Sequence, residues 1–246
     1  MGNEIIKGGH QYICRYRPDK ESTIDEIKNS YIFFSKRNSL NDPFDSSPDL
    51  INFINTDKQK YFHFVRNMIT NQIDKQKFDN KFTPEKLVNE TIESIPEYIN
   101  KIGIACFSTH PINMILWANY SNNHKGVCLQ FDTECDNFFF EKIRYMEYSE
   151  KLDKNNFDPL KEEFEITDIF FKKDISWSME EEIRLLNIET GKINFQKKAL
   201  KNIICGYMSE DNFVEKIIES VKGRNIGVYK MLKPEIHNNI PIKKIN

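Results

Sequence analysis

Residues 101–132 read KIGIACFSTHPINMILWANYSNNHKGVCLQFD, and three short patterns follow one another there. The run from Lys101 to His110 is apolar and of strand length, and Pro111 stops it because proline offers no amide hydrogen to a ladder. From Asn113 to Ser121 the bulky groups Met114, Leu116, Trp117 and Tyr120 recur as they do on a helix. Gly126 to Asp132 is again a short apolar run. The minimal reading is strand, helix, strand, with Leu116 and Tyr120 sharing a side that must be buried behind the Ser108 strand.

Upstream, the run from His10 to Pro18 (HQYICRYRP) is rich in β-formers and closed by Pro18. Ser22 and Thr23 can cap a short helix with Asp25 and Glu26 in its first turn. Tyr31 to Ser35 is a second strand. Ser39 to Asp49 is dense in turn residues, and Pro43 pushes Asp42 out of helical geometry, so an ordered loop is expected. From about Leu50 to Ile95 the pattern is polar and helical, with Thr83-Pro84 a good helix start. Downstream, strands are expected at Phe138 to Tyr145, Ser176 to Ile188, Ile203 to Tyr207 and Asn225 to Leu232. Helices are expected at Asn194 to Leu200 and Glu210 to Lys222. The class is α+β: one domain over residues 1–246, built on a single mixed sheet and carrying a helical insertion at about 50–97. No period of 20 to 50 residues repeats, which argues against a solenoid.

Length and charge bound the function. At roughly 150 residues per domain, 246 residues allow one large domain or one domain with an insertion. Lys+Arg 35 against Asp+Glu 37 gives a net charge of -2, which disfavours nucleic acid as a main partner and leaves only a local basic groove open. No run approaches the roughly 20 apolar residues of a membrane span. Met1 to His10 has neither a hydrophobic segment nor a cleavage site, and Ile6 stands where N-myristoylation needs Ser or Thr. Five cysteines form no disulfide framework, and Cys14, Cys106, Cys128 and Cys205 lie inside apolar runs. Reduced, buried thiols in a cytoplasmic protein with no membrane partner fit this pattern.

Three constellations can carry chemistry. In Glu180-Glu181-Glu182-Ile183-Arg184, strand alternation puts Glu180, Glu182 and Arg184 on one face and Glu181, Ile183 and Leu185 on the other. A solvated edge strand or a helix N-terminus accounts for the charges equally simply. Cys106-Phe107-Ser108-Thr109-His110 runs a strand into a loop, where hydroxyls can hold a ligand or orient a carboxylate, or merely cap. Tyr16-Arg17 ends the first strand, and an arginine there can clamp a pyrophosphate or lie idle at the surface. Cys106-x3-His110 and His124-x3-Cys128 invite a zinc reading, but the ligands would have to converge from two strands, and core thiols explain both cysteines. No metal is expected. Neither a Walker loop nor G-x-G-x-x-G occurs.

Taken together, Tyr16-Arg17, Asn41-Asp42-Pro43-Phe44-Asp45, Cys106-Phe107-Ser108, Leu116-Trp117-Ala118-Asn119-Tyr120 with His124-Lys125-Gly126, and Trp177-x-x-Glu180-x-Glu182-x-Arg184 resemble the bacterial family called domain of unknown function 2971. That resemblance spans roughly Tyr12 to Tyr207 and implies no activity. A second resemblance, to cholera-toxin-like Arg-Ser-Glu ADP-ribosyltransferases, follows the order Arg17, Ser108-Thr109, Glu180-x-Glu182, with His110 in place of that family's third hydroxyl residue. It implies a core of ADP-ribosyltransferase-like type and NAD as substrate. In that pattern Glu182 stabilises the oxocarbenium-like state, Glu180 serves the acceptor and Ser108 positions Glu182. Arg17 binds the phosphates, with Tyr16, Thr109, Trp117, Tyr120 and His124 around the bound NAD.

Three functions compete. The first is an NAD-consuming effector or toxin, as in antiphage defence, acting on a macromolecular acceptor and held in check by a neutralising partner. The second is a non-enzymatic ligand- or protein-binding module in which Trp117, Tyr120 and His124 make the contacts. The third is a metal-dependent nuclease using Asp42, Asp45, Glu180 and Glu182. The transferase reading requires Arg17, Ser108 and Glu182 to converge.

Overall fold

The computed structural model describes residues 11–53, 56–158, 160, 166–233 and 240–246. The reading of Met1 to His10 as free of leader and acylation signals falls outside the described residues. Numbered along the chain, the first strands are β1 (Tyr12–Arg17), β2 (Tyr31–Phe34), β3 (Ile51–Phe53), β4 (Gly103–Ser108), β5 (Val127–Asp132), β6 (Arg144–Tyr145) and β7 (Glu147–Ser149). There follow β8 (Asn155–Phe157), β9 (Lys172–Asp174), β10 (Glu182–Asn187), β11 (Gly191–Asn194), β12 (Leu200–Cys205), β13 (Gly227–Met231) and β14 (Ile242–Lys244). The α-helices are α1 (Glu21–Asn29), α2 (Lys58–Met68), α3 (Gln72–Lys81), α4 (Pro84–Lys101), α5 (Met114–Tyr120), α6 (Asn137–Phe140) and α7 (Asp211–Ser220). Two compact units result: Met1–Ser35, Gly103–Met146 and Ser176–Asn246 form the first, Lys36–Ile102 and Glu147–Ile175 the second.

In the first unit, among the described residues, eight strands make one sheet in the order β14-β13-β12-β5-β1-β4-β10-β6. The sheet is mixed, since β12 and β13 run parallel while the other neighbours are antiparallel. The class is therefore α+β, as the sequence indicates. Strand alternation sorts the sheet's side chains into two faces. One face carries Ile13, Ala105, Phe107, Leu129, Phe131, Ile183, Leu185 and Ile203, and Ile27 of α1 and Val214 and Ile217 of α7 join that core. The other carries Cys14, Tyr16, Cys128, Ile204, Tyr229 and Met231, packed with Leu116 and Trp117 of α5.

The strand–helix–strand reading of 101–132 holds as β4, α5 and β5. Asn113 caps α5 by accepting from the amides of Ile115 and Leu116, two of the donors a helix start leaves orphaned. Gly126 is obligatory because a Cβ there would lie 2.0 Å from the Arg17 carbonyl oxygen.

Other boundaries differ from expectation. α1 starts at Glu21 with Lys20 at its N-cap, and the Thr23 hydroxyl donates instead to the Pro18 carbonyl at 2.7 Å. The expected strand at Phe138 to Tyr145 is replaced by α6 and only two strand residues, because Asp136 accepts from the Phe139 amide and closes a turn. Phe140 then packs on Phe131, ring centroids 5.9 Å apart. Ser176 to Ile188 is not one strand: a 3-10 turn runs from Ile175 to Glu180, and β10 begins only at Glu182. The expected helix at Asn194 to Leu200 is a single 3-10 turn, Lys197–Ala199, leading into β12.

In the second unit α2 and α3 are capped by Asp57 and Asn71, and Thr83-Pro84 opens α4 as expected. Tyr61, Leu87, Ile95 and Ile99 are its buried helical residues, while most of α3 is exposed. The loop Asn41 to Asp45 is held locally: Asp42 accepts from the Phe44 amide at 2.9 Å, and Asp45 accepts from the Ser46 hydroxyl at 2.7 Å.

Candidate functional site

The antiparallel register of β4 and β10 sets Glu182 directly opposite Ser108 and Arg184 opposite Cys106. Cys14 of β1 pairs with Ser108 from the other side. Because Phe107, Ile183 and Leu185 enter the α1/α7 core, Cys106, Ser108, Glu182 and Arg184 project to the α5 face. This end of the sheet therefore gathers a carboxylate, a guanidinium, a hydroxyl and a thiol.

Glu182 and Arg184 are almost wholly removed from solvent, at 4% and 0% exposure. Their side chains form a two-bond fork: Arg184 Nε donates to Glu182 Oε1 at 2.6 Å and Nη2 to Oε2 at 3.1 Å. Charge-assisted parallel bonds of this kind fix orientation as well as charge. The Cys106 thiol lies against the same carboxylate, and burial together with that negative charge pushes its pKa up, so it stays a neutral thiol.

Glu180, 4% exposed, approaches from the 3-10 turn. Its carbonyl accepts from the Ser108 hydroxyl at 3.0 Å, and its carboxylate accepts from the Tyr120 hydroxyl at 2.7 Å. Burial and the adjacent carboxylates, Glu180 first, hold the Tyr120 phenol well above its ordinary range, which keeps it a donor. Ser108 and Tyr120 thus tie the 3-10 turn to β4 and α5.

The expected two-face alternation holds from Glu182 onward and fails at Glu181. That residue precedes the strand with φ 44, a left-handed conformation costing a non-glycine residue about 1 to 2 kcal/mol. Its carboxylate turns to the loop after β4, where Oε2 lies 2.5 Å from His110 Nε2 and 3.5 Å from Thr109 Oγ1. Glu181 therefore belongs to the rim and not to the opposite face of the sheet.

Arg17 does not join Ser108 and Glu182. Arg15 and Arg17 alternate with Cys14 and Tyr16 along β1, so both guanidiniums lie on the α1 face, where Glu26 receives them. Arg15 Nε is 3.2 Å from Glu26 Oε1 and Arg17 Nε is 2.8 Å from Oε2. Arg15 further donates to the carbonyls of Cys106 and Phe33 and lies over the Phe107 ring. The carboxylate is thus ion-paired with two arginines, although Arg15 Nε, Arg17 Nε and both Glu26 oxygens lie buried without a hydrogen bond of good geometry. The convergence of Arg17 with Ser108 and Glu182 is thus lost to sheet alternation.

The remaining candidates divide. Tyr16 is buried and its hydroxyl is engaged twice, donating to the His110 carbonyl at 2.5 Å and accepting from the Asn113 amide at 3.1 Å. Trp117 is fully buried, edge-on to Tyr16, and its indole donates to the Pro111 carbonyl at 3.1 Å. His124 stacks on Trp117 with ring centroids 6.2 Å apart, and burial lowers its pKa. Asp42 and Asp45 lie in the second unit. Among the described residues no group of three or more His, Cys, Asp or Glu side chains is placed to hold a metal ion. Sequence reasoning gave no site role to Cys106, read as a core thiol, or to Asn113, whose Nδ2 donates to the Met179 carbonyl at 2.6 Å. Their shared signal was adjacency to Ser108 and to the start of the LWANY helix.

Residues 116–185 match the model of a family described as "Protein of unknown function (DUF2971)". That span includes the Leu116 to Tyr120, His124 to Gly126 and Trp177 to Arg184 motifs, whereas Tyr16-Arg17, Asn41 to Asp45 and Cys106 to Ser108 precede it. Comparison with curated proteins and with solved structures gives no match.

Proposed function

We propose that this chain is an NAD-cleaving enzyme, a glycohydrolase whose catalytic carboxylates are Glu182 and Glu180, and that it does not use the Arg-Ser-Glu arrangement of the cholera-toxin-like transferases, which requires an Arg17 that here faces Glu26. The observation that carries the reading is the register pairing of Glu182 with Ser108 beside a second buried glutamate. Breaking the bond between nicotinamide and ribose builds positive charge on the sugar, and a preoriented carboxylate stabilises that charge. Glu182 supplies it, paired through both oxygens with Arg184 and held from rotating away. Tyr120 fixes Glu180, and the Ser108 hydroxyl holds the turn that presents it. With Arg17 turned to Glu26, the phosphate role implied by the resemblance does not transfer to that residue.

Pure protein incubated with NAD should release nicotinamide, measured by chromatography, and Glu182→Gln should lower the rate on the order of a hundredfold or more. The absence of release from the native protein would sink the reading. One observation favours a binding module instead: Arg184 already engages both oxygens of Glu182. That reading expects NAD to bind, with measurable heat, and to stay intact.

A further inference from the structure

Three consecutive glutamates end in three different places, and the reading above uses only two of them. Glu181 is held in a left-handed conformation and reaches His110 across the gap between the 3-10 turn and the loop after β4. Left-handed backbone at a glutamate is uncommon, and such strain concentrates where a side chain must be aimed. Here it aims a carboxylate at an imidazole.

His110 is equally constrained. Its amide donates to the Ser108 hydroxyl at 3.3 Å and its carbonyl accepts from Tyr16 at 2.5 Å, so the backbone is pinned on both sides. Its side chain nonetheless stands in solvent, 52% exposed, as is Glu181 at 53%. Nε2 faces the carboxylate, and Nδ1 has no protein partner among the described residues. A carboxylate on one ring nitrogen fixes the proton there and leaves the other nitrogen as the base.

We propose that His110 is the general base of this site toward a hydroxyl acceptor, water or an alcohol, and that Glu181 is its positioning residue. The inference rests on the NAD reading. The acceptor oxygen forms its bond to the ribose anomeric carbon as the bond to nicotinamide breaks, and the electron pair leaves with nicotinamide. The acceptor's proton passes to His110 Nδ1 and then to bulk water. Glu181 stabilises the imidazolium formed in between. Glu180, Glu182, Tyr120 and Cys106 then serve the sugar side, and the rim pair serves the acceptor side.

The experiment follows NAD cleavage in water and with added methanol as a hydroxyl probe, for the native chain, His110→Gln and Glu181→Gln. General-base loss lowers kcat by about a hundredfold or more in His110→Gln, with KM for NAD unchanged and the acidic limb of the pH–rate profile removed. Glu181→Gln falls between the two and retains that limb. Nitrogen-15 NMR of the native chain should show the His110 tautomer protonated at Nε2, a readout independent of turnover and of any variant's folding. Unchanged kcat and pH profile in His110→Gln, or the opposite tautomer, overturn this proposal while leaving NAD cleavage standing. Absence of nicotinamide release from the native chain overturns the NAD reading itself, and the acceptor role with it.

Discussion

Arg184→Leu removes one partner of the fork and leaves Glu182 buried between β4 and the turn. The pair is enclosed at 0% and 4% exposure and bonded twice, so the loss is that of a buried ion pair broken on one side, about 3 to 5 kcal/mol. For a chain of this length each kcal/mol lowers the melting temperature by roughly 2 to 4 °C, so the drop should be about 6 to 20 °C. The double variant Glu182→Leu, Arg184→Leu removes both charges and should recover most of that loss, since apolar replacement of a whole buried pair is commonly near neutral. Differential scanning calorimetry of the native chain, both single variants and the double variant closes the cycle. A coupling energy within about 0.5 kcal/mol of zero would refute the reasoning. Glu182 would then be held by other groups, and its orientation could not be credited to Arg184.

Four further outcomes follow. Trp117→Ala empties a fully buried site and should cost about 3 to 5 kcal/mol in urea titration; a normally stable variant lacking only activity would instead put the indole against a ligand. Tyr120→Phe deletes the hydroxyl on Glu180 and should cost about 1.5 to 3 kcal/mol, the range for hydrogen bonds to a charged group. The His124 pKa lies below its ordinary 6.5 through burial, so the folded chain binds fewer protons there than the unfolded one. Stability is fully present above pH 6.5 and declines as pH falls through the folded value, and His124→Phe should flatten that part of the melting-temperature profile. Gly126→Ala drives a methyl to 2.0 Å from the Arg17 carbonyl and should abolish recovery of folded protein from expression, as judged by circular dichroism.

The sequence disclosed most where local pattern and tertiary packing agree. β4, α5 and β5 were legible because Pro111 and the bulky spacing of Leu116 and Tyr120 mark the same boundaries that the Asn113 cap sets in the fold. Thr83-Pro84 was legible for the same reason. The aromatic run Phe138 to Phe140 misled, since strand and buried turn both demand large apolar groups and only the Asp136 cap separates them. Arg17 misled differently. Its alternation with Tyr16 could be read, but the face it lies on depends on the pairing of Cys14 with Ser108 and on which helix covers which side. No local pattern encodes either.

The glutamate run shows where such reasoning stops and what replaces it. Period-two alternation assigns Glu182 and Arg184 correctly to one face, because both lie inside β10. It fails one residue earlier, where a left-handed turn at Glu181 interrupts the period and sends three adjacent carboxylates to Tyr120, His110 and Arg184. Glutamate has no preference for that conformation, so the turn is imposed by its surroundings: Ser108 holds the Glu180 carbonyl and Asn113 holds the Met179 carbonyl. Those two hydrogen bonds, made by residues of the legible segment, fix the part that was not legible. Each glutamate accordingly has a distinct partner, and single substitutions at 180, 181 and 182 perturb three separable functions instead of one shared acidic patch.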